Sequence, residues 1–354
     1  MSVDAETILV RSGEDFDHQK IERCLRDHIT GLSEGPLEVR QFPSGASNLT
    51  YLVKIGDWEG VLRRPPMGPV APKAHDMQRE ASILQRVHAV FPLAPRPYFF
   101  CDDLTLLGVP FYVMERRRGV VVNDVFPASV VPTPDLGRAL SQTIVETLVG
   151  IHAIDWRAAG LDTIGHPEGF LGRQVKGWIE RYYRAQTDEI PQVQPLTNWL
   201  AEHIPTSPAP SVIHNDFKLN NMILNEHDLT KAAAVLDWEM TTIGDPLFDL
   251  AISLGYWVQP DDPQELHIVL PTVTTMPGFI SRDEFMHIYA QKSGRDLSTI
   301  QYYMIFAYFK LAVILQQIYV RWVRGQTQDE RFAAFGTRVH NLITHAHNLM
   351  QKQG

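Results

Sequence analysis

Val212-Ile213-His214-Asn215-Asp216-Phe217-Lys218-Leu219-Asn220-Asn221-Met222-Ile223-Leu224 is the most informative stretch of the 354-residue chain. A β-branched pair leads into a polar turn, and an apolar run leads out of it. Soon afterwards comes Ala232-Ala233-Ala234-Val235-Leu236-Asp237-Trp238-Glu239, an apolar strand that ends on an acid. The spacing His-x-Asp-x-x-x-x-Asn, followed by a strand-terminal Asp, is that of a catalytic loop for phosphoryl transfer followed by its metal-binding acid. Asp216 can accept a proton from an attacking hydroxyl, with His214 two residues before it. Asn221 and Asp237 offer hard oxygen ligands that suit Mg²⁺ against phosphates. Lys218 stands where a cation offsets charge on the transferring group. Taken singly, each has an ordinary explanation, because Asp and Asn in turns bond their own backbone and a lone His is usually structural. The joint spacing, with a strand on either side, is what points to chemistry.

Composition sets the frame. A hydrophobic share of 44% and a charged share of 21% describe a globular protein long enough for two domains. The net charge of −9 argues against a general binder of nucleic acid or anionic membrane. Cys24 and Cys101 lie far apart, with neither zinc-type spacing nor a disulfide framework, which fits a cytoplasmic setting. The N-terminus is acidic and lacks the basic region of a secretory signal. The longest apolar candidate, Tyr302 to Val323, is interrupted by Lys310, two Gln and Arg321, and reads as a buried amphipathic helix.

Upstream of the central stretch, Phe16 to Ile29 has helical spacing, and Leu37 to Phe42 alternates as a strand. A small-residue turn, Pro43 to Asn48, separates it from a strand at Leu49 to Val53. Gly56-Asp57 then precedes a third strand, Glu59 to Arg64. Strand, glycine-containing turn, strand is the form of a loop that folds over nucleotide phosphates, making Gly45, Ser47 and Asn48 candidate contacts. Arg63 stands where a strand Lys would grip phosphates, and Glu80 is its candidate ion-pair partner on a helix expected from Pro72 to His88. Two more strands follow, Pro97 to Asp102 and Val109 to Glu115. The second runs into Arg116-Arg117-Arg118, with adenine expected against backbone near Glu115. The Arg triplet is a candidate for an anionic substrate group.

From Pro134 the period is helical. Leu136 to Ile154, Leu171 to Ala185 and a helix ending near Ile204 precede the central stretch, and Thr241 to Pro246 reads as a turn opening another helix. Asp249 lies on that helix among apolar residues and is expected to hold the central loop through backbone donors. Three helical segments close the chain. His340, His345 and His347 do not share one helix face, so no metal site is expected there. The pattern predicts an α+β fold: a small five-stranded antiparallel N-terminal lobe over 1–116 and a mostly helical lobe over 117–354.

Several stretches together resemble the aminoglycoside phosphotransferase (APH) superfamily, whose fold is similar to that of protein kinases. They are Phe42 to Leu52, Val61 to Pro66, His75 to Glu80, Phe111 to Glu115, Arg173 to Trp178, the central stretch, and Leu236 to Ala251. The likeness is greatest to the branch of kinase domains fused to, or encoded beside, acyl-CoA dehydrogenases. The resemblance implies Asp216 as catalytic base, Asn221 and Asp237 as Mg²⁺ ligands, and Arg63 at the nucleotide phosphates with Glu80 beside it. It further implies ATP as donor, a hydroxyacyl-CoA or hydroxy acid as acceptor, and a functional link to an acyl-CoA dehydrogenase. An aminoglycoside or choline-type acceptor, or a non-catalytic nucleotide-binding module, are the alternatives. Asp188, Glu189, Asp261, Asp262 and Glu265 are available to a cationic acceptor. The chain departs from the family at Asn215, commonly Gly, and at Lys218, commonly Arg. No Ala-Pro-Glu segment follows Asp237, which argues against a protein kinase.

Overall fold

A computed structural model describes residues 6–43, 48–67, 75–327 and 329–353. The chain divides into two compact units, Met1–Gly119 with Ala233–Glu239, and Val120–Ala232 with Met240–Gly354. The seven residues 233–239 therefore belong with the N-terminal unit, although they lie far along the sequence.

The first unit opens with α1 (His18–His28), whose Asp17 side chain accepts from the N–H groups of Gln19 and Lys20. Its residues Ile21, Cys24 and Leu25 are buried, the i, i+3, i+4 stripe of a helix lying on a core. Strands β1 (Glu38–Gln41), β2 (Leu49–Ile55) and β3 (Trp58–Arg64) follow, then α2 (Met77–His88), β4 (Pro97–Cys101), α3 (Leu104–Leu107) and β5 (Phe111–Glu115). The strands form one antiparallel sheet in the order β1-β2-β3-β5-β4. Alternation along β3 separates two functions. Leu62 packs with Ile21, Leu25, Tyr51 and Val113 in the core beneath α1. Arg63, one residue later, reaches Glu80 of α2. That helix starts at Met77, later than the sequence suggests, because Asp76 caps it by accepting from Arg79 N. Residues 72–74, expected to open it, lie outside the described residues.

The second unit contains β6 (Val120–Val121), α4 (Pro134–His152), α5 (Phe170–Ala185), α6 (Val193–Glu202) and β7 (Ser211–Ile213). A 3₁₀ turn, Leu219–Asn221, leads into β8 (Met222–Asn225) and β9 (Asp228–Val235), then β10 (Thr242–Gly244) and α7 (Pro246–Gly255). The C-terminal part holds α8 (Gln264–Val269), α9 (Arg282–Ser293), α10 (Ile300–Val323) and α11 (Phe335–Gln351). The segment read as a plain turn before α7 is a strand. β10 pairs antiparallel with β7, Thr242 opposite Ile213 and Gly244 opposite Ser211. Only three residues long, it is below what periodicity can register. This pair frames the central loop, which leaves β7 at His214.

Helix α10 differs from the amphipathic expectation. Every residue from Tyr302 to Val313 is buried, since α5, α7 and α11 all pack on it. Among the described residues it is the one helix long and apolar enough to cross a membrane, and 72% of its apolar window is buried inside the protein, as in a core helix.

The β2–β3 connection depends on Gly56, which has φ +58°, and a Cβ there would meet Ser33 Oγ at 1.9 Å. Gly56→Ala is expected to lower unfolding free energy by about 1–2 kcal/mol in denaturant titration. Adding Ser33→Ala should recover part of that loss.

Candidate active site

In the first unit the sequence-predicted residues gather around one guanidinium. Arg63 Nη2 lies 2.6 Å from Asp237 Oδ1 and 3.4 Å from Glu239 Oε2, and its Nε lies 3.4 Å from Glu80 Oε2. Asn48 Nδ2 donates to Glu239 Oε2 at 2.7 Å, and His75 Nδ1 is 2.8 Å from Asn48 Oδ1. Arg79 donates to the Glu239 carbonyl at 2.9 Å. Three carboxylates thus share Arg63. Burial alone would lower the Arg63 pKa, but Glu80, Asp237 and Glu239 outweigh it and hold that pKa well above the usual value. Glu80 is deeply buried, and burial pushes its carboxyl up to about 7 in spite of Arg63, with Glu239 and Asp237 adding to the rise. The cluster therefore carries more acid than its own cations balance.

Of the remaining first-unit candidates, Gly45 and Ser47 lie outside the described residues. Glu115 pairs with Arg117. The Arg triplet is engaged within its own unit: Arg116 bonds Glu6 and Glu59 at 3.1 Å, and Arg118 bonds Glu59 at 2.6 Å. Arg117 also donates to the Pro92 carbonyl. The expectation that this triplet meets a substrate anion gives way to these internal ion pairs.

In the second unit the central loop is built around Asp216. Lys218 Nζ donates to both its carboxylate oxygens, at 3.0 and 2.9 Å, and also lies 4.6 Å from the Tyr256 ring centroid. Asn221 Nδ2 donates to Asp216 O at 2.8 Å and Oδ2 at 3.0 Å, which leaves its amide oxygen turned the other way. The side chains of Asp216 and Lys218 keep about a quarter of their surface in solvent (27% and 23%). His214 differs, since its ring is fully buried edge-on to Phe217, a placement that suits holding the loop rather than touching a reactant.

Asp249, on α7, anchors this loop. Its two carboxylate oxygens accept the N–H groups of His214 and Asn215, both at 2.7 Å. His152 Nε2 lies 3.1 Å from Oδ2, and His152 Nδ1 lies 2.7 Å from Tyr289 Oη. Burial would raise the Asp249 pKa, but His152 and the backbone N–H of His214 more than offset it, holding the group below the ordinary carboxylate range. Ser253 Oγ donates to Phe217 O at 2.8 Å and pins the loop further on.

Three non-glycine residues have positive φ among the described residues: His75 (59°), Asn215 (69°) and Asp237 (66°). All three touch or are candidate site residues, where such backbone strain concentrates. Asn215 explains its own departure from the family pattern. The position calls for a left-handed residue, and Asn tolerates that conformation better than other side chains. Its amide also donates to Met240 O at 2.8 Å.

Sequence reasoning missed Glu239, His152, Tyr289, Tyr256 and Lys310. Lys310 had a visible signal: it is the one charge in the apolar first half of α10. Among the described residues no group of three or more His, Cys, Asp or Glu is arranged to hold a metal, the α11 histidines included.

Residues 38–271 match the phosphotransferase enzyme family. Acyl-CoA dehydrogenase family member 11 of Rattus norvegicus is 34% identical over 341 residues, which cover 93% of this chain and 43% of that protein. The chain thus spans less than half the length of the curated relatives it matches. A "putative aminoglycoside phosphotransferase" from Ralstonia eutropha superposes with a TM-score of 0.82 at 26% identity, covering 96% of this chain and 99% of that one. A thermostable mutant of aminoglycoside phosphotransferase APH(4)-Ia, in ternary complex with AMP-PNP and hygromycin B, superposes at 0.58 with 17% identity, covering 92% and 98%. At that identity the likeness is one of fold.

Glu80 gives a pH test. Its folded pKa of about 7 lies above the ordinary 4.5, so the folded chain binds the extra proton between those values. Its contribution to stability is complete below pH 4.5 and is lost as pH rises toward 7, at up to about 1.4 kcal/mol per pH unit. Denaturant titrations over that window are expected to show a decline in the wild type that flattens in Glu80→Gln.

Proposed function

Because the chain belongs to the phosphotransferase enzyme family, we propose that it moves the γ-phosphoryl group of ATP to a hydroxyl of a small molecule, with magnesium as the metal. The observation that carries the reading is the Asp216 carboxylate, held by Lys218 and Asn221 on a loop anchored at two backbone N–H groups. A carboxylate so fixed can receive the acceptor's hydroxyl hydrogen and orient its oxygen for in-line attack. Lys218 offsets negative charge as the phosphoryl group transfers. Arg63 contacts the nucleotide phosphates in this reading, and Glu80 keeps its guanidinium oriented.

Each unit offers oxygen of the kind that magnesium takes. That ion takes one or two protein oxygens and fills its octahedron with phosphate oxygens and water, so a dense cage of protein ligands is not required. Asn221 offers an amide oxygen, and Asp237 a carboxylate whose Oδ1 alone is engaged by Arg63. When bound, the metal would neutralise charge on the β- and γ-phosphates. The AMP-PNP held by the APH(4)-Ia relative supports a nucleoside triphosphate as donor.

For the acceptor, the charges near Asp216 favour an anion. Lys218 and Arg181 lie in that region beside the rings of Tyr256 and Trp178. A hydroxy acid or hydroxyacyl-CoA matches a cationic, aromatic surround, and the likeness to acyl-CoA dehydrogenase family member 11 agrees with it. Three of the five acids available to a polycationic aminoglycoside are placed as follows. Asp262 pairs with Arg282, and Asp188 and Glu189 line a cavity of about 410 Å³ whose walls include none of the candidate catalytic residues.

The test is a thermal-shift titration with ATP and Mg²⁺, followed by ADP release over hydroxy acids, hydroxyacyl-CoAs, aminoglycosides and choline-like alcohols. Stabilisation by the nucleotide and turnover with an anionic hydroxyl compound are expected. Asp216→Ala should lower turnover by about 10³-fold or more with nucleotide affinity nearly unchanged. No shift with any nucleotide refutes the reading.

A further inference from the structure

Lys310 is a charged residue in a place where packing alone would favour an apolar one. It lies in the first half of α10 and is 5% exposed. Its ammonium sits between two ring faces, 5.6 Å from the Trp178 centroid on α5 and 5.0 Å from that of Phe248 on α7. Of its three donors, one makes a hydrogen bond, to Asn215 O at 3.3 Å. The charged groups acting on it are Asp216 and Lys218 of the central loop, Asp249 of α7 and Arg181 of α5. Taking an ammonium out of water costs several kcal/mol, which ring faces and one carbonyl offset only in part. A Met of similar length would fill the same space without that cost.

The carbonyl it holds gives the reason for its presence. Asn215 O belongs to the peptide that joins Asn215 to Asp216. The N–H of Asn215 is bonded to Asp249 Oδ1, so a carboxylate grips one end of this left-handed residue and an ammonium the other. We propose that Lys310 is a positioning residue for Asp216: together with Asp249 it clamps Asn215 from both sides and fixes the peptide plane from which the Asp216 carboxylate projects. This rests on Asp216 being the base, and Lys310 itself touches no reactant.

The experiment uses Lys310→Met and Lys310→Arg in the full chain. Deuterium uptake is followed in a peptide spanning 211–221, with Tm, kcat and the KM for ATP measured alongside. Lys310→Met is expected to fold with an equal or higher Tm, because a buried charge has been removed. Uptake at 211–221 should nonetheless rise several-fold, and kcat should fall about 10- to 100-fold with the KM for ATP within about twofold. Burial pushes Lys310 down to about 8, so wild-type activity should decline as pH rises above that value. Lys310→Arg, whose charge persists, should keep activity through that range. Unchanged uptake in Lys310→Met overturns the clamp whatever the acceptor proves to be, and even if the wild type transfers no phosphate. Raised uptake with unchanged kcat overturns the link to Asp216.

Discussion

One buried carboxylate governs the geometry of the second unit. Asp249 accepts two consecutive backbone N–H groups, those of His214 and Asn215, and its remaining capacity meets His152. An ionised acid in a closed core is costly unless its lone pairs are met, and here three partners meet them. The arrangement tolerates little variation. It draws the chain leaving β7 into a left-handed turn at Asn215, and that turn brings Asp216, Lys218 and Asn221 onto a single carboxylate-centred network. His152, which meets Asp249, and Tyr289, which meets His152, come from α4 and α9, so three helices stabilise one turn.

The two clusters differ in their balance of charge. In the first, three carboxylates surround Arg63, and the cluster can take up additional positive charge. In the second, Lys218, Lys310 and Arg181 act around Asp216 and Asp249 beside aromatic rings. The phosphoryl transfer proposed above needs mainly positioning and charge compensation.

The candidate site was legible in the sequence where its residues are local. His214 to Asn221 and Asp237 announce themselves by spacing, since a loop between short strands fixes their offsets, and Arg63 and Glu80 by their place on a strand and the following helix. The family's preference for Gly at the position of Asn215 reflects a backbone requirement that Asn also meets. Residues that act across long separations were not legible. His152 reaches Asp249 from 97 positions away and Lys310 reaches Asn215 from 95, so no window of sequence links them. The fold class followed from periodicity, whereas β10 was too short to register and the N-terminal end of α2 was set by a cap. The Arg triplet shows the converse error: a charge run inviting a ligand is satisfied by Glu6, Glu59 and Glu115.

The central claim is that phosphate passes from nucleotide to an alcohol. Incubating the chain with magnesium and ATP labelled with ¹⁸O in its γ-phosphoryl group, together with a hydroxy acid or hydroxyacyl-CoA, tests it by the mass of the product. The account predicts a phosphomonoester whose non-bridging oxygens carry the label while its bridging oxygen comes from the acceptor. Labelled inorganic phosphate alone, with no acceptor of any class phosphorylated, would contradict it.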